Sequence, residues 1–216
     1  MMTAAYFGGL WLGTLYFPHG YDWRRNVISN LLSPRDNPGW YWVPCAGVVI
    51  AGLCMLPLAL WIDHELARHG GGAGMRRLRR VAFVIGAGCL ALSAIVVPQH
   101  QHDVMGLRHA HELLARTSAV GLGLGMLCAC AVEAKAERMR HLRRMWWLAT
   151  VPPIAGAVGS GLLVAAARFW GAGNEAADYF RATVFWHLAF WEWVGSAAVF
   201  LFFASAVWLL GGEEPS

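Results

Sequence analysis

Histidine, carboxylate and arginine side chains gather where apolar segments of this chain meet polar connections. In chain order the groups of interest are His19, Asp22, Arg25, His100, His102, Asp103, His109, His111, Glu112, Arg116 and His187. Imidazoles and carboxylates are common ligands of zinc-like ions, and they are also common acids and bases in catalysis. The pattern is therefore typical of a metal site or an acid–base site, although histidines in surface loops are often only solvated.

A metal site has the larger set of candidate ligands. Enough donors for one divalent, zinc-like ion come from five side chains: His100, His102, Asp103, His109 and His111. The His-Glu-x-x-His pattern of zinc proteases is absent. A b-type haem between helices is the alternative cofactor, with two of His109, His111 and His187 as axial ligands.

One helical face could carry the chemistry. His109, Glu112 and Arg116 are spaced i, i+3 and i+7, so they share a face, and Glu112 can pair with Arg116. Ionisable groups in apolar spans usually mark function. Catalytic roles are predicted for His109, His111, Glu112, Arg116, Asp22 and Arg25. Glu112 would orient a histidine or activate water, while Arg116 and Arg25 would hold an anionic headgroup. A structural pair that locks two helices, or a contact between Arg116 and Glu192, is the alternative.

The elements that position these groups are membrane spans. The chain is 57% hydrophobic and 14% charged, with a mean hydropathy of +0.45, whereas soluble domains carry roughly a quarter charged residues. A span needs about 20 apolar residues. The sequence predicts a single all-α domain, a six-helix transmembrane bundle over residues 1–216. Its approximate spans are 3–17, 40–62, 81–97, 109–132, 145–167 and 183–210.

Two basic segments orient this bundle. Lys and Arg total 17, and most of them lie in residues 68–80 and 135–144, which are predicted to be interhelical loops. Positive charge marks the cytoplasmic side of a membrane, so both termini are predicted to be cytoplasmic and the histidine-bearing connections to lie outside. The formal charge of +4 then reflects topology and contact with lipid headgroups, not nucleic-acid binding.

The first outer connection has a pattern of its own. Trp23, Val27 and Leu31 repeat every four residues, which predicts a short amphipathic helix in the membrane interface before a Pro/Gly break at 34–39. Glycines at 121, 123 and 125 and at 156, 159 and 161 predict smooth faces for close helix packing, within the chain or in an oligomer.

Residues 20–31 resemble the first outer loop of the DUF998 family of six-helix prokaryotic membrane proteins. A Tyr-Asp pair, a basic residue and an Ile-Ser pair precede a Pro/Gly break, as in that family, and Val97-Pro98 and His109 or His111 fit its later outline. The layout is also similar to the Frag1/DRAM group, which includes proteins involved in remodelling lipid anchors. The resemblance implies a bacterial or archaeal cytoplasmic membrane. It directs attention to six positions without giving them roles: Tyr21, Asp22, Arg25, Ser29, Pro98 and His109.

Three functions remain open from the sequence. The leading hypothesis is a membrane-embedded protein whose His/Glu/Arg site at the extracytoplasmic face binds or acts on a lipid or other amphiphile, with or without a metal. The first alternative is a non-catalytic scaffold or assembly subunit that forms homo- or hetero-oligomers through its glycine faces. The second is a haem- or metal-binding redox protein.

Overall fold

Helices and the turns that connect them make up the part of the chain that the structure describes. The computed structural model describes residues 1–68, 72–96, 109–132, 137–169 and 182–211, and none of these residues lies in a strand. In chain order the elements are α1 (Met2–Leu15), α2 (Ile28–Leu32), α3 (Trp42–Arg68), α4 (Ala73–Ile95), α5 (Ala110–Cys130), α6 (Glu137–Phe169), a 3-10 turn (Val184–Trp186) and α7 (Leu188–Leu210). The predicted all-α class is confirmed.

Membrane character rests on the five longest of the described helices. By length and composition, α3 to α7 can each cross a membrane, and they overlap the last five predicted spans. The first predicted span corresponds to α1, whose 14 residues extend for about 21 Å, less than the roughly 30 Å of bilayer hydrocarbon. The chain is therefore a helical protein of membrane type, while a sixth span stays a prediction.

Most of the basic residues that the structure describes in the two segments lie inside helices, so their assignment to loops was wrong for these residues; Lys135 lies outside the described residues. Arg76, Arg77, Arg79 and Arg80 belong to the first two turns of α4, and Arg140 lies in the first turn of α6. Both helices begin about eight residues before the predicted spans. Apolar runs mark only the part of a helix that hydrocarbon would cover, and the helix can continue beyond it.

Successive long helices run antiparallel. Asp63 near the end of α3 bonds Arg79 near the start of α4, and His111 near the start of α5 reaches Ser93 near the end of α4. The ends of α1, α4 and α6 and the starts of α3, α5 and α7 therefore lie at one end of the bundle. We call it the outer end, after the predicted orientation, and the opposite end the inner end.

Glycines let α4 and α5 approach closely. A Cβ on Gly86 would lie 2.6 Å from the Leu122 backbone nitrogen, and one on Gly121 would lie 2.9 Å from the Ala82 carbonyl oxygen. Further along the same interface Gly125 faces the Phe83 ring. The predicted smooth face of α5 is thus used inside the chain.

The second glycine face, on α6, is covered only in part. Gly156 faces the Trp191 ring, whereas a Cβ on Gly159 or Gly161 would meet no atom of the described residues within 4 Å. Oligomerisation through these glycines stays a prediction.

The core centres on the inner half of α7. Phe202 and Phe203 are fully buried, and both rings pack against Phe83 of α4, with centroids 5.8 and 5.6 Å apart. Trp146 of α6 packs on Phe202 with centroids 4.5 Å apart, and its indole N–H donates to the Ser205 hydroxyl at 2.9 Å. α7 therefore connects the α4 side of the bundle to α6.

The first outer connection forms a shorter helix than the pattern predicts. α2 covers only Ile28–Leu32, with Ile28, Leu31 and Leu32 buried. Trp23 precedes it in a turn with its side chain exposed. The apolar residues of α2 pack into the bundle, and an interfacial amphipathic helix stays a prediction.

Candidate functional site

The strongest polar cluster at the outer end is a row of three side chains along α5. His109 Nδ1 lies 3.4 Å from Glu112 Oε2, and the Arg116 guanidinium donates to Glu112 Oε1. The side chains are 77%, 49% and 73% exposed, respectively. Glu112 and Arg116 share a face of α5 as predicted, while His109 is the residue before the helix, has a left-handed backbone conformation and reaches Glu112 from there. These contacts are local to the start of α5, on the surface of the bundle. We call this row the α5 ladder.

His111 lies on a different face of α5 and is buried. Its Nδ1 is 2.7 Å from the Ser93 carbonyl oxygen and 3.0 Å from that of Val96. Both neighbours are acceptors, so Nδ1 carries the proton and donates. Helix ends leave carbonyls without an intrahelical partner. His111 therefore secures the end of α4 to the start of α5.

His109 is exposed, whereas His111 is buried against α4, and a shared role for the two imidazoles stays a prediction. Across residues 1–68, 72–96, 109–132, 137–169 and 182–211, no three His, Cys, Asp or Glu side chains are grouped to hold a metal ion. The predicted ligands His100, His102 and Asp103 lie outside the described residues, so a metal site that includes them stays a prediction.

His187 occupies the residue before α7. It is half-buried, and its backbone N–H donates to the Val184 carbonyl at 3.1 Å. Its position at the outer end agrees with the predicted topology. A haem role for His187 stays a prediction.

Asp22 and Arg25 close a turn in the first outer connection. Asp22 Oδ1 accepts a hydrogen bond from the Arg24 backbone at 3.0 Å, and its carbonyl accepts from the Arg25 and Asn26 backbone N–H groups. The Arg25 side chain is exposed, with Nε 3.8 Å from Asp22 Oδ2. The structure gives Asp22 a local backbone role, and the predicted headgroup contact of Arg25 stays a prediction.

The connection is secured at Tyr21. Its hydroxyl donates to the Asn26 carbonyl at 2.7 Å, and its ring meets that of Trp193 edge-on. Burial raises the pKa of the Tyr21 phenol above its ordinary value, with smaller contributions from nearby acidic groups. Tyr21 therefore remains protonated at neutral pH and keeps this hydrogen bond. Below it, the hydroxyls of Tyr6 and Ser196 are 2.8 Å apart and join α1 to α7.

Glu192 is the acidic residue of α7, and sequence reasoning did not find its partner. Its Oε2 accepts a hydrogen bond from the Ile28 backbone N–H at 2.6 Å. This contact satisfies a free N–H group at the start of α2, where a carboxylate is favourable. Arg116, the suggested partner of Glu192, instead bonds Glu112. The signal available in the sequence was an acidic residue inside an apolar span, but that signal does not name its partner.

A second charged cluster lies near the inner end, and sequence reasoning missed it. Asp63 of α3 accepts hydrogen bonds from Arg79 Nε at 3.0 Å and Nη2 at 2.7 Å, and from Arg80 Nε at 2.9 Å. The side chains of Asp63 and Arg79 are 0% and 2% exposed, while that of Arg80 is 52% exposed. We call it the Asp63 cluster. The arginines had been interpreted only as a topology signal.

Comparison with family models, curated proteins and solved structures finds no match. Membership in the DUF998 family therefore stays a prediction. The functional argument rests on the side chains of this chain.

Proposed function

We propose that this protein binds the phosphate-bearing headgroup of a lipid at the outer face of a bacterial or archaeal cytoplasmic membrane. In this proposal α1 is the sixth span, both termini are cytoplasmic, and the α5 ladder is the binding site. One observation carries the proposal: His109, Glu112 and Arg116 are exposed at the start of α5, a helix that is long and apolar enough to span a membrane.

Charged groups on such a surface need polar partners. A charged residue in the middle of a span costs at least about 2.5 to 3.5 kcal/mol, and long side chains lower this cost by reaching toward the interface. Arg116 lies about 10 Å below His109 by helical rise. Side chains on a helix tilt toward its N-terminus, which is the outer end for α5. The guanidinium is therefore directed toward the headgroup layer.

The donors of the α5 ladder suit a phosphate. A guanidinium has five N–H donors, and the bond to Glu112 leaves others for a ligand. His109 adds a ring nitrogen, and its side chain does not cap the N-terminus of α5. The positive dipole end of α5 also attracts anions. Glu112 holds the two basic side chains at a fixed spacing.

The test measures lipid binding to the full-length protein in nanodiscs that contain either phosphatidylglycerol or only zwitterionic lipid. Native mass spectrometry counts the lipids that remain bound. Arg116→Ala should weaken retention of phosphatidylglycerol by about tenfold, since a hydrogen bond to a charged group contributes about 1.5 kcal/mol. Arg24→Ala is the matched control, because Arg24 is exposed at the same end and its guanidinium lies over the Trp23 ring. Equal retention by wild type and Arg116→Ala would overturn the proposal.

A second candidate function is acid–base catalysis on such a lipid. The observation that favours it is the 3.4 Å approach of Glu112 to His109 Nδ1, because a carboxylate on one ring nitrogen orients the other to move a proton. His109→Gln tests this idea in a cell-based lipid profile. The profile should change while lipid retention in nanodiscs persists. An unchanged profile at normal protein levels would exclude catalysis by His109.

A further inference from the structure

A cleft at the outer end lies between the end of α1 and the first outer connection. No residue of the α5 ladder lines it. It is open to the surface and has a volume of about 480 Å³. Its polar lining residues are His19, Asn26, Asn30, Arg35 and Asp36. We call it the first-loop cleft.

The wall of this cleft is held in place by its own hydrogen bonds. Asn30 Nδ2 donates to Asp36 Oδ2 at 3.0 Å, and the Asp36 backbone N–H donates to the Ser33 hydroxyl at 3.3 Å. Behind it, the fully buried Asn37 donates from Nδ2 to the Leu31 carbonyl at 3.1 Å. A wall ordered before binding reduces the conformational entropy that a ligand must overcome.

The polar lining contains one guanidinium and one carboxylate, whose charges are equal and opposite. Arg35 Nε lies 3.6 Å from Asp36 Oδ1, so the guanidinium and the carboxylate offset each other. The asparagine amides supply both donors and acceptors. This combination suits a ligand with several hydroxyl groups better than it suits an anion.

Three exposed aromatic rings stand beside the cleft. Tyr16 and Trp40 stack with centroids 4.0 Å apart and planes 10° apart, and Trp42 continues the row at 6.2 Å from Trp40. Tyr16 adjoins the cleft residue Phe17 in the chain, and Trp40 follows the cleft residue Pro38 by two positions. We call this row the aromatic platform. Ring faces carry negative electrostatic potential, so they attract the polarised C–H groups of a sugar ring.

We propose that the first-loop cleft binds a neutral sugar ring, with the hydroxyl groups on the asparagines and the Arg35–Asp36 pair and the C–H face on the aromatic platform. A glycolipid headgroup and a free saccharide share this chemistry. The aromatic platform at the membrane surface favours neither source, so the experiment has an arm for each.

The experiment uses the full chain, purified in a detergent without a sugar headgroup and reconstituted in phosphatidylcholine nanodiscs. One arm adds diglucosyl diacylglycerol to the bilayer, and the other adds free maltose to the solution. Saturation-transfer NMR on the sugar protons reports binding. A signal that is lost with an excess of the same sugar supports the proposal, and the arm in which it appears identifies the source. The absence of a signal in both arms overturns the proposal.

Two variants test the contacts. Asn26→Ala should weaken binding roughly three- to tenfold, as expected for one hydrogen bond, and it keeps the backbone groups that bond Tyr21 and Asp22. Trp42→Ala should also weaken binding, whereas the control Trp23→Ala, another exposed tryptophan of this end, should not. If Asn26→Ala does not fold, Trp42→Ala still tests the proposal. Wild-type affinity in Trp42→Ala would overturn the proposal.

The variant Arg116→Ala separates this inference from the phosphate-binding proposal. It should leave sugar binding unchanged, because the polar contacts of Arg116 in the described chain stay on α5. Loss of both activities in Arg116→Ala would show that the first-loop cleft is not an independent site and would overturn the proposal.

Discussion

The α5 ladder and the Asp63 cluster use the same side-chain chemistry in opposite surroundings. In each, one carboxylate lies between two basic groups: His109 and Arg116 flank Glu112, whereas Arg79 and Arg80 flank Asp63. The ladder is exposed on one helix. The centre of the Asp63 cluster is buried and joins α3 to α4.

This difference separates structural from ligand-binding roles. Exposed ion pairs contribute little to stability, typically 0 to about 1 kcal/mol, so the ladder can exchange partners at small cost. A buried pair is different, because losing one partner leaves an unpaired charge in an apolar interior. The Asp63 cluster therefore specifies how α3 meets α4, whereas the proposed function requires the α5 ladder to be available to a ligand.

The largest expected effect is at Asp63. Asp63→Ala leaves the Arg79 guanidinium buried without its carboxylate, which should lower the free energy of unfolding by about 3 to 5 kcal/mol. For a chain of this size the thermal midpoint in detergent should fall by roughly 6 to 20 °C. Arg80→Ala is the control, and it should change the free energy by less than about 1 kcal/mol because that side chain is half exposed. If Asp63→Ala melts at the wild-type temperature, the Asp63 cluster does not have the structural role that distinguishes it from the α5 ladder.

The next effect tests the α4–α5 contact that lies between the two clusters. Gly86→Ala places a Cβ 2.6 Å from the Leu122 backbone nitrogen, which forces the helices apart and should cost about 1 to 3 kcal/mol. Gly88→Ala has no atom within 4 Å of the new Cβ and should be neutral or stabilising, since alanine favours helix. Thermal melting of the two variants side by side makes the comparison. Equal stability would show that this close approach is dispensable.

A smaller effect distinguishes the two histidines of α5. His111→Ala removes the hydrogen bond to the last turn of α4 and should lower the free energy of unfolding by about 1 kcal/mol. His109→Ala removes an exposed side chain and should change stability by less than about 0.5 kcal/mol. The reverse order in thermal melting would mean that His109 has the structural role.

The smallest effect is at Glu112. Glu112→Ala breaks two exposed contacts within one helix, so the free energy of unfolding should change by less than about 0.5 kcal/mol. Retention of phosphatidylglycerol should decrease by less than it does in Arg116→Ala, because the guanidinium keeps its donors and loses only the contact that fixes its spacing from His109. A stability loss comparable to that of Asp63→Ala would assign the α5 ladder a structural role instead.

Local rules were enough to predict the helices and the α5 ladder. Apolar runs of sufficient length located α3 to α7, and the i, i+4 spacing brought Glu112 to Arg116. The predicted spans 145–167 and 81–97 were shorter than the helices α6 and α4 that contain them, because hydropathy does not mark where a helix leaves the hydrocarbon. The sequence did not indicate that His109 would be exposed in a left-handed conformation before α5 while His111 is buried against α4, because a cap conformation and burial depend on neighbouring elements.

Contacts between helices distant in sequence were not predictable. Ile28 and Glu192 are separated by 164 positions, and their contact depends on how the first outer connection packs on α7. The Asp63 cluster spans an interhelical connection, and its arginines looked like a simple charge bias.

By itself, the sequence determined the helical class, the approximate apolar spans and the charged face of α5. These depend on composition and on spacings of three or four residues, which act within one helix. Only the tertiary structure decided which charges are buried, which histidine secures α4, and where the first-loop cleft forms. Burial depends on which faces of separate helices meet, and hydropathy along a single chain does not specify those pairings.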